Sequence, residues 1–226
     1  MNQKDNQTSV AAPNSWHMIR AMGGIGLLCG LLIVMTYEAT LPIIDQKKAE
    51  YLEKAIFVVL PDAASIQPFE WKQSGEFAQA AGVGVPGRLT FAGYDQQNNL
   101  VGIAVDARGQ GFQDVIRILY GYSFEKQAII GFVVLESKET PGLGDKIEKD
   151  ENFLRNFEAL DVSLTPDGST VANPIVAVKN GTKTESWQLD AITGATISSN
   201  AIANILQKST AEWMPALVEN KTVFEK

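Results

Sequence analysis

Between Arg20 and Glu38 lie 17 consecutive positions without a charged residue. A run of that length is at the short end of the roughly 17–25 residues a helix needs to cross a hydrocarbon core. Trp16 and Tyr37 bracket the run as interfacial aromatics do, and Thr40, Leu41, Ile43 and Ile44 extend it, so the span is placed at residues 16–41. A cleaved signal peptide is the rival reading, but Tyr37 and Glu38 stand where its small cleavage-site residues are wanted. A buried helix of a soluble domain is a third. Gly23, Gly24, Gly26 and Gly30 would let the span pack closely on other transmembrane helices. Charge leaves the orientation open, because Lys4 and Arg20 precede the span while Lys47, Lys48 and Lys54 follow it. Residues 1–15 are polar and aperiodic, and read as a disordered tail.

The 226 residues suffice for one good core beside this extension. A net charge of -7 argues against nucleic acid as partner, since phosphate backbones need a basic face. Cys29 is the single cysteine, so there is no internal disulfide, and without Cys or His clusters the chain offers no iron–sulfur or zinc site. His17, the single histidine, flanks the apolar run, which disfavours histidine-dependent hydrolysis. No side chain is assigned a catalytic or metal-binding role.

After the span, Tyr51, Leu52, Ala55 and Ile56 recur at helical spacing, giving a linking helix within residues 42–60. Residues 62–87, with prolines and glycines, read as an irregular connection. Apolar runs at 88–93, 100–106, 115–122 and 128–136, with short polar breaks, read as antiparallel strands. Their aromatics, Phe91, Tyr94, Phe112, Tyr120, Tyr122 and Phe132, are expected in the sheet or core. A short helix over 148–160, a hairpin of 174–178 with 185–189 around Asn180-Gly181, and a helix over 197–217 complete an α+β domain, residues 61–226.

Two stretches stand apart from this scaffold. Asp190-Ala191-Ile192-Thr193-Gly194-Ala195-Thr196 leads directly into the last helix. A helix start presents unpaired N–H groups and the positive end of the macrodipole, which together favour a phosphate. Gly194 and Ala195 would allow a bulky ligand close approach. Taken alone, the seven residues read more simply as an ordinary helix cap, with Asp190 or Thr193 bonding free N–H groups. The other stretch, Glu139-Thr140-Pro141-Gly142-Leu143-Gly144-Asp145-Lys146-Ile147, has the form of a Pro-Gly turn leaving a strand.

Both stretches resemble signatures of the covalent FMN-binding domain family, some fifty residues apart and in the family's order. The first resembles the flavinylation signature Dxx(S/T)GAT without departure, and the second resembles the family's ETPGLG loop. The turn Gly109-Gln110-Gly111-Phe112 is similar to the family's in a less specific way. This domain occurs in the G subunit of Rnf-type ion-translocating electron-transport complexes and the C subunit of the sodium-pumping NADH:quinone reductase. The resemblance implies FMN joined by a phosphoester to Thr196, installed by a separate flavin transferase. It implies cofactor contacts from Asp190, Thr193, Gly194 and Ala195, and from Glu139, Thr140, Gly142, Leu143 and Gly144. Backbone N–H groups of the glycine loop would donate to the flavin ring, with Leu143 against its plane.

The implied protein is a membrane-anchored redox subunit without independent substrate turnover. It would work beside other membrane redox subunits in a bacterial inner membrane, with its domain on the periplasmic or extracytoplasmic side. Membership of the Rnf-type complex is the first expectation and of the sodium-pumping quinone reductase the alternative. A non-redox, membrane-anchored interaction domain and a small-molecule flavin reductase are readings of other classes. Gly109-x-Gly111 lacks the third glycine and the βα context of a dinucleotide site, so NAD(H) chemistry is expected elsewhere.

Overall fold

The computed structural model describes residues 15–82 and 87–226, so the tail reading lies, apart from Ser15, outside the described residues. One helix among them is long and apolar enough to cross a membrane: α1, Ser15–Val59. None of its most apolar window is buried, unlike the core helix of a soluble domain. Pro42 cannot donate to the carbonyl four residues back, yet the helix continues through it. Just ahead of it the Thr40 hydroxyl donates to the carbonyls of Thr36 and Tyr37, at 2.9 and 3.1 Å.

Residues 49–226 form a compact unit of their own. Its frame is a seven-stranded antiparallel sheet: β1 (Ser65–Trp71), β2 (Phe77–Gln79), β3 (Leu89–Tyr94), β4 (Leu100–Gln110), β5 (Val115–Ser123), β6 (Ala128–Glu136) and β7 (Leu160–Asp161). The spatial order is β2-β1-β3-β4-β5-β6-β7. Side chains alternate between the faces, and both faces are covered. Ala92, Ile103, Val105, Ile118 and Tyr120 face one core, and Phe91, Ala104 and Leu119 the other. Burial on both sides is why these strands read as near-continuous apolar runs.

On the first face lies α3, Thr196–Glu219, burying Ile202, Leu206, Trp213 and Leu217. It is followed by α4, Lys221–Phe224, whose Phe224 meets Phe69 and Phe77 edge-on. A short α2, Glu151–Leu154, is capped by the Asp150 carboxylate accepting from Phe153 N at 3.0 Å and runs into a 3₁₀ turn, Arg155–Phe157. Phe157 stacks on Phe132 of β6 with centroids 4.1 Å apart, so this segment covers the sheet end nearest β7.

The second face receives the last turns of α1, through Leu52, Ala55, Ile56 and Val59, followed by Leu60. The helix end needs glycine beneath it. Gly121 and Gly131 are register partners on β5 and β6. A Cβ on the first would collide with the Val59 carbonyl oxygen, and one on the second would lie 2.5 Å from the Val59 Cα. The Tyr51 hydroxyl donates to the Val134 carbonyl at 3.2 Å beside this trough.

Two expectations are corrected. Residues 62–87 are not an irregular connection, because β1 and β2 lie within them. Pro68 hides β1 in the sequence, but toward β2 its carbonyl is what the sheet uses, accepting from Ala80 N at 2.9 Å. The expected closing hairpin is a parallel pair, β8 (Val176–Val178) with β9 (Gln188–Asp190). Asn180 and Gly181 do turn the chain, yet they bond to the far end of β9: Asn180 Nδ2 to the Ala191 carbonyl, and Gly181 N to Asp190 Oδ1. The second strand therefore runs alongside the first in the same direction.

Candidate functional site

The seven residues from Asp190 to Thr196 leave β9, turn, and begin α3. The turn closes with Ala195 N donating to the Ile192 carbonyl at 3.0 Å, and Gly194 sits at φ +83°, where an L side chain is strained. No side chain caps α3. The first helical bond is Ser199 N to the Ala195 carbonyl, so the N–H groups of the first turn point out of the helix end.

Hydroxyls crowd this end, and they are not equivalent. Ser199 Oγ accepts from Ile192 N at 3.1 Å and donates to the Ala195 carbonyl at 3.0 Å. Ser198 Oγ is buried and donates to Glu139 Oε2. Thr196 is exposed, and its hydroxyl has no hydrogen-bond partner among the described residues. Of the three hydroxyls on the first turn of α3, that of Thr196 is the one left for chemistry.

Glu139 joins the second stretch to this one. It is 5% exposed, and its Oε1 accepts from Phe112 N at 2.8 Å and Gln113 N at 3.1 Å. Three segments thus meet on one carboxylate: the turn after β4, the loop after β6 and the start of α3. Beyond Glu139 the loop folds over the Thr140 carbonyl, which accepts from Leu143 N at 3.1 Å and Gly144 N at 3.0 Å. Gly142, at φ +78°, gives its N–H to Asp145 Oδ1 at 2.7 Å. The Lys149 ammonium, 2.8 Å away, holds Asp145 below the usual carboxylate range. Leu143 at the loop tip is 52% exposed, and Phe112 and Ile197 are each 59% exposed. Large apolar side chains are thus left open on each of the three segments that meet at Glu139.

Phe112 is therefore not a core aromatic, unlike Phe91, Tyr94, Tyr120, Tyr122 and Phe132, which are buried. The signal that separates it is its neighbour Gly111, where a Cβ would meet Glu139 Oε1 at 2.6 Å.

Asp190 does something other than cap α3. Its carboxylate accepts from Gly181 N at 2.7 Å and lines a polar cavity of about 310 Å³ with Asn152, Arg155, Asn156, Asn180 and Lys183. Burial draws the Lys183 ammonium below its ordinary value, which the Asp190 charge only partly offsets. Asn156 fixes this corner by bonding both Asp190 N and the Asp190 carbonyl, at 3.0 and 3.2 Å, and by accepting from Lys183 Nζ at 3.1 Å. Asn156→Ala is expected to cost about 2 kcal/mol in urea unfolding and to speed amide exchange at Asp190. Thr193 is exposed and caps nothing.

A fold of this kind is found in solved structures. The Shewanella oneidensis protein NqrC superposes with a TM-score of 0.64 at 18% identity, over 78% of this chain and 99% of that one. The family model described as FMN-binding domain matches residues 111–211, a span that holds all three segments around Glu139. The G subunit of an ion-translocating oxidoreductase complex from Methanosarcina acetivorans is 32% identical over 195 residues, 85% of this chain and 90% of that protein. The G subunit of a Na(+)-translocating ferredoxin:NAD(+) oxidoreductase complex from Acetobacterium woodii is 27% identical over 184 residues, 80% of this chain and 82% of that one.

Proposed function

The chain belongs to the family of G subunits of ion-translocating oxidoreductase complexes, and from that premise we propose that it is a membrane-anchored electron carrier with FMN held as a phosphoester on Thr196. The observation that carries the reading is the exposed, unpartnered Thr196 hydroxyl at the uncapped start of α3. A phosphate joined there lies at the positive end of the helix, among N–H groups with no other partner. Making the ester would form an O–P bond at Oγ1 as the phosphoanhydride bond of a flavin dinucleotide breaks; the hydroxyl proton is lost, the nucleoside monophosphate leaves, and a separate flavin transferase catalyses the transfer.

The flavin supplies the redox chemistry, because an isoalloxazine takes up two electrons and releases them singly, as no side chain of this protein does. The chain's own residues tether, orient and enclose it. Leu143, Phe112 and Ile197 offer apolar surface to the ring, and Thr193, Gly194 and Ala195 keep the approach to Thr196 narrow in side-chain bulk. Thr140 shapes the loop through its carbonyl, with Gly142 and Gly144 giving the close turns. A permanent tether suits a relay within a complex more than independent turnover. Residues 16–41 cross the membrane, residues 42–60 link the span to the domain, and residues 61–226 carry the flavin on the extracytoplasmic side. The redox subunits beside it in the complex are its electron donor and acceptor, and coupling to ion movement lies with them. The alternative read from the sequence, the C-type subunit of a sodium-pumping quinone reductase, shares the fold at 18% identity, which carries no assignment of role.

The test is fluorescence under ultraviolet light of the denatured protein band, with intact mass, after expression with and without a flavin transferase. A band that glows and gains the mass of an FMN ester only with the transferase supports the reading. A dark, unmodified band beside a labelled control protein leaves a non-redox anchored domain in its place.

A further inference from the structure

Glu139 is the one buried acidic side chain among the described residues. Both carboxylate oxygens are engaged inside the protein, Oε1 by Phe112 N and Gln113 N and Oε2 by the Ser198 hydroxyl. The backbone has been cleared to admit it. A Cβ on Gly111 would come within 2.6 Å of Oε1, and one on Gly144 within 2.7 Å of Oε2 and 2.8 Å of Ser198 Oγ. The loop after β6, the turn after β4 and the first turn of α3 therefore hold their relative positions through this side chain. Each carries one of the exposed apolar residues, Leu143, Phe112 and Ile197.

We propose that Glu139 is the positioning residue of the flavin site, and that it acts on the flavin through Ser198 and the Phe112–Gln113 backbone rather than by its charge or by contact. The proposal rests on the reading of Thr196 as the flavin attachment point. It separates geometry from electrostatics. Glu139→Gln removes the charge but keeps the shape and one acceptor oxygen for Phe112 N and Gln113 N, while the Ser198 hydroxyl can rotate to accept from the new amide. Ser198→Ala keeps the charge and breaks the link to α3. Glu139→Ala loses both.

The experiment uses the full chain, co-expressed with a flavin transferase, as wild type and these three variants. Three quantities are read: covalent flavin by in-gel fluorescence, the flavin midpoint potential by redox titration, and amide exchange at Phe112 and Gln113 in flavin-free protein. Covalent labelling gives the flavin-bearing fraction of each variant, and the potential is read on that fraction. Exchange at Phe112 and Gln113 should rise about tenfold or more in Glu139→Ala and stay near wild type in Glu139→Gln. The midpoint potential should move in Glu139→Ala and, in the same direction, in Ser198→Ala, with Glu139→Gln close to wild type. A potential that moves equally in Glu139→Gln and Glu139→Ala while Ser198→Ala matches wild type overturns the proposal, because the charge would then act directly. Unchanged potential and exchange in all variants overturn it as well. Dark wild-type protein removes the attachment reading and with it the flavin half of this proposal, whereas the exchange measurement still reports whether Glu139 holds the three segments.

Discussion

Thr196→Val yields protein with no covalent flavin, even with an active flavin transferase, and with a melting temperature within about 2 °C of wild type. The stability half of this expectation follows from position. Thr196 is exposed, makes no hydrogen bond among the described residues and does not cap α3, while valine keeps its branched shape. The chemical half follows from the neighbours, since Ser198 and Ser199 already spend their hydroxyls inside the protein. In-gel fluorescence and intact mass read the first half, and circular dichroism during heating reads the second. A labelled Thr196→Val protein would move the acceptor elsewhere, with the exposed Thr193 the first position to examine. A large fall in melting temperature would mean the residue is structural, and a dark band would then prove little.

The largest loss of stability is expected from Gly131→Val. Its Cβ would fall 2.5 Å from both the Cα and the carbonyl oxygen of Val59, so the end of α1 must lift from the sheet. Overpacking against a side chain can be relieved by a rotamer change, but here the obstacle is backbone. The cost should be at least about 3 kcal/mol, or about 10 °C for a chain of this size. For the same reason Val59→Ala should not restore the variant. Gly24→Ala, whose added methyl meets nothing within 4 Å, is the matched control and should be near neutral. Thermal melts of the detergent-solubilised chain would settle the matter, and a Gly131→Val protein as stable as the control would mean that α1 does not seat on this trough.

The sheet was legible where its strands are sandwiched between two cores, because burial on both faces leaves continuous apolar runs in β3 to β6. It was not legible at β1, where Pro68 reads locally as a break and only pairing with β3 shows otherwise. The parallel pairing of β8 with β9 was hidden for a related reason. Asn180-Gly181 announces one reversal of the chain, but the partners of that turn lie 9 and 11 residues further on. Within the site, the stretches around Glu139 and Thr196 stood out as sequence, and their fold class followed. The job of each residue did not. Asp190 looked like a cap and instead braces the β8–β9 connection, and Phe112 looked like core and is open. Glu139 stood out only as part of its loop, while the partners that engage its carboxylate lie 26, 27 and 59 positions away, distances no local pattern reports.

The edges of the sheet carry a last consequence. The outermost strands, β2 and β7, are three and two residues long. Such stubs themselves expose too few unpaired backbone groups to template another chain. β7 pairs only with Ala128 and Ile129 of β6, so beyond Ile129 that nine-residue strand has no second strand beside it among the described residues. The open length of β6, together with the side chains of the loops and helices, is therefore what this domain offers a neighbour.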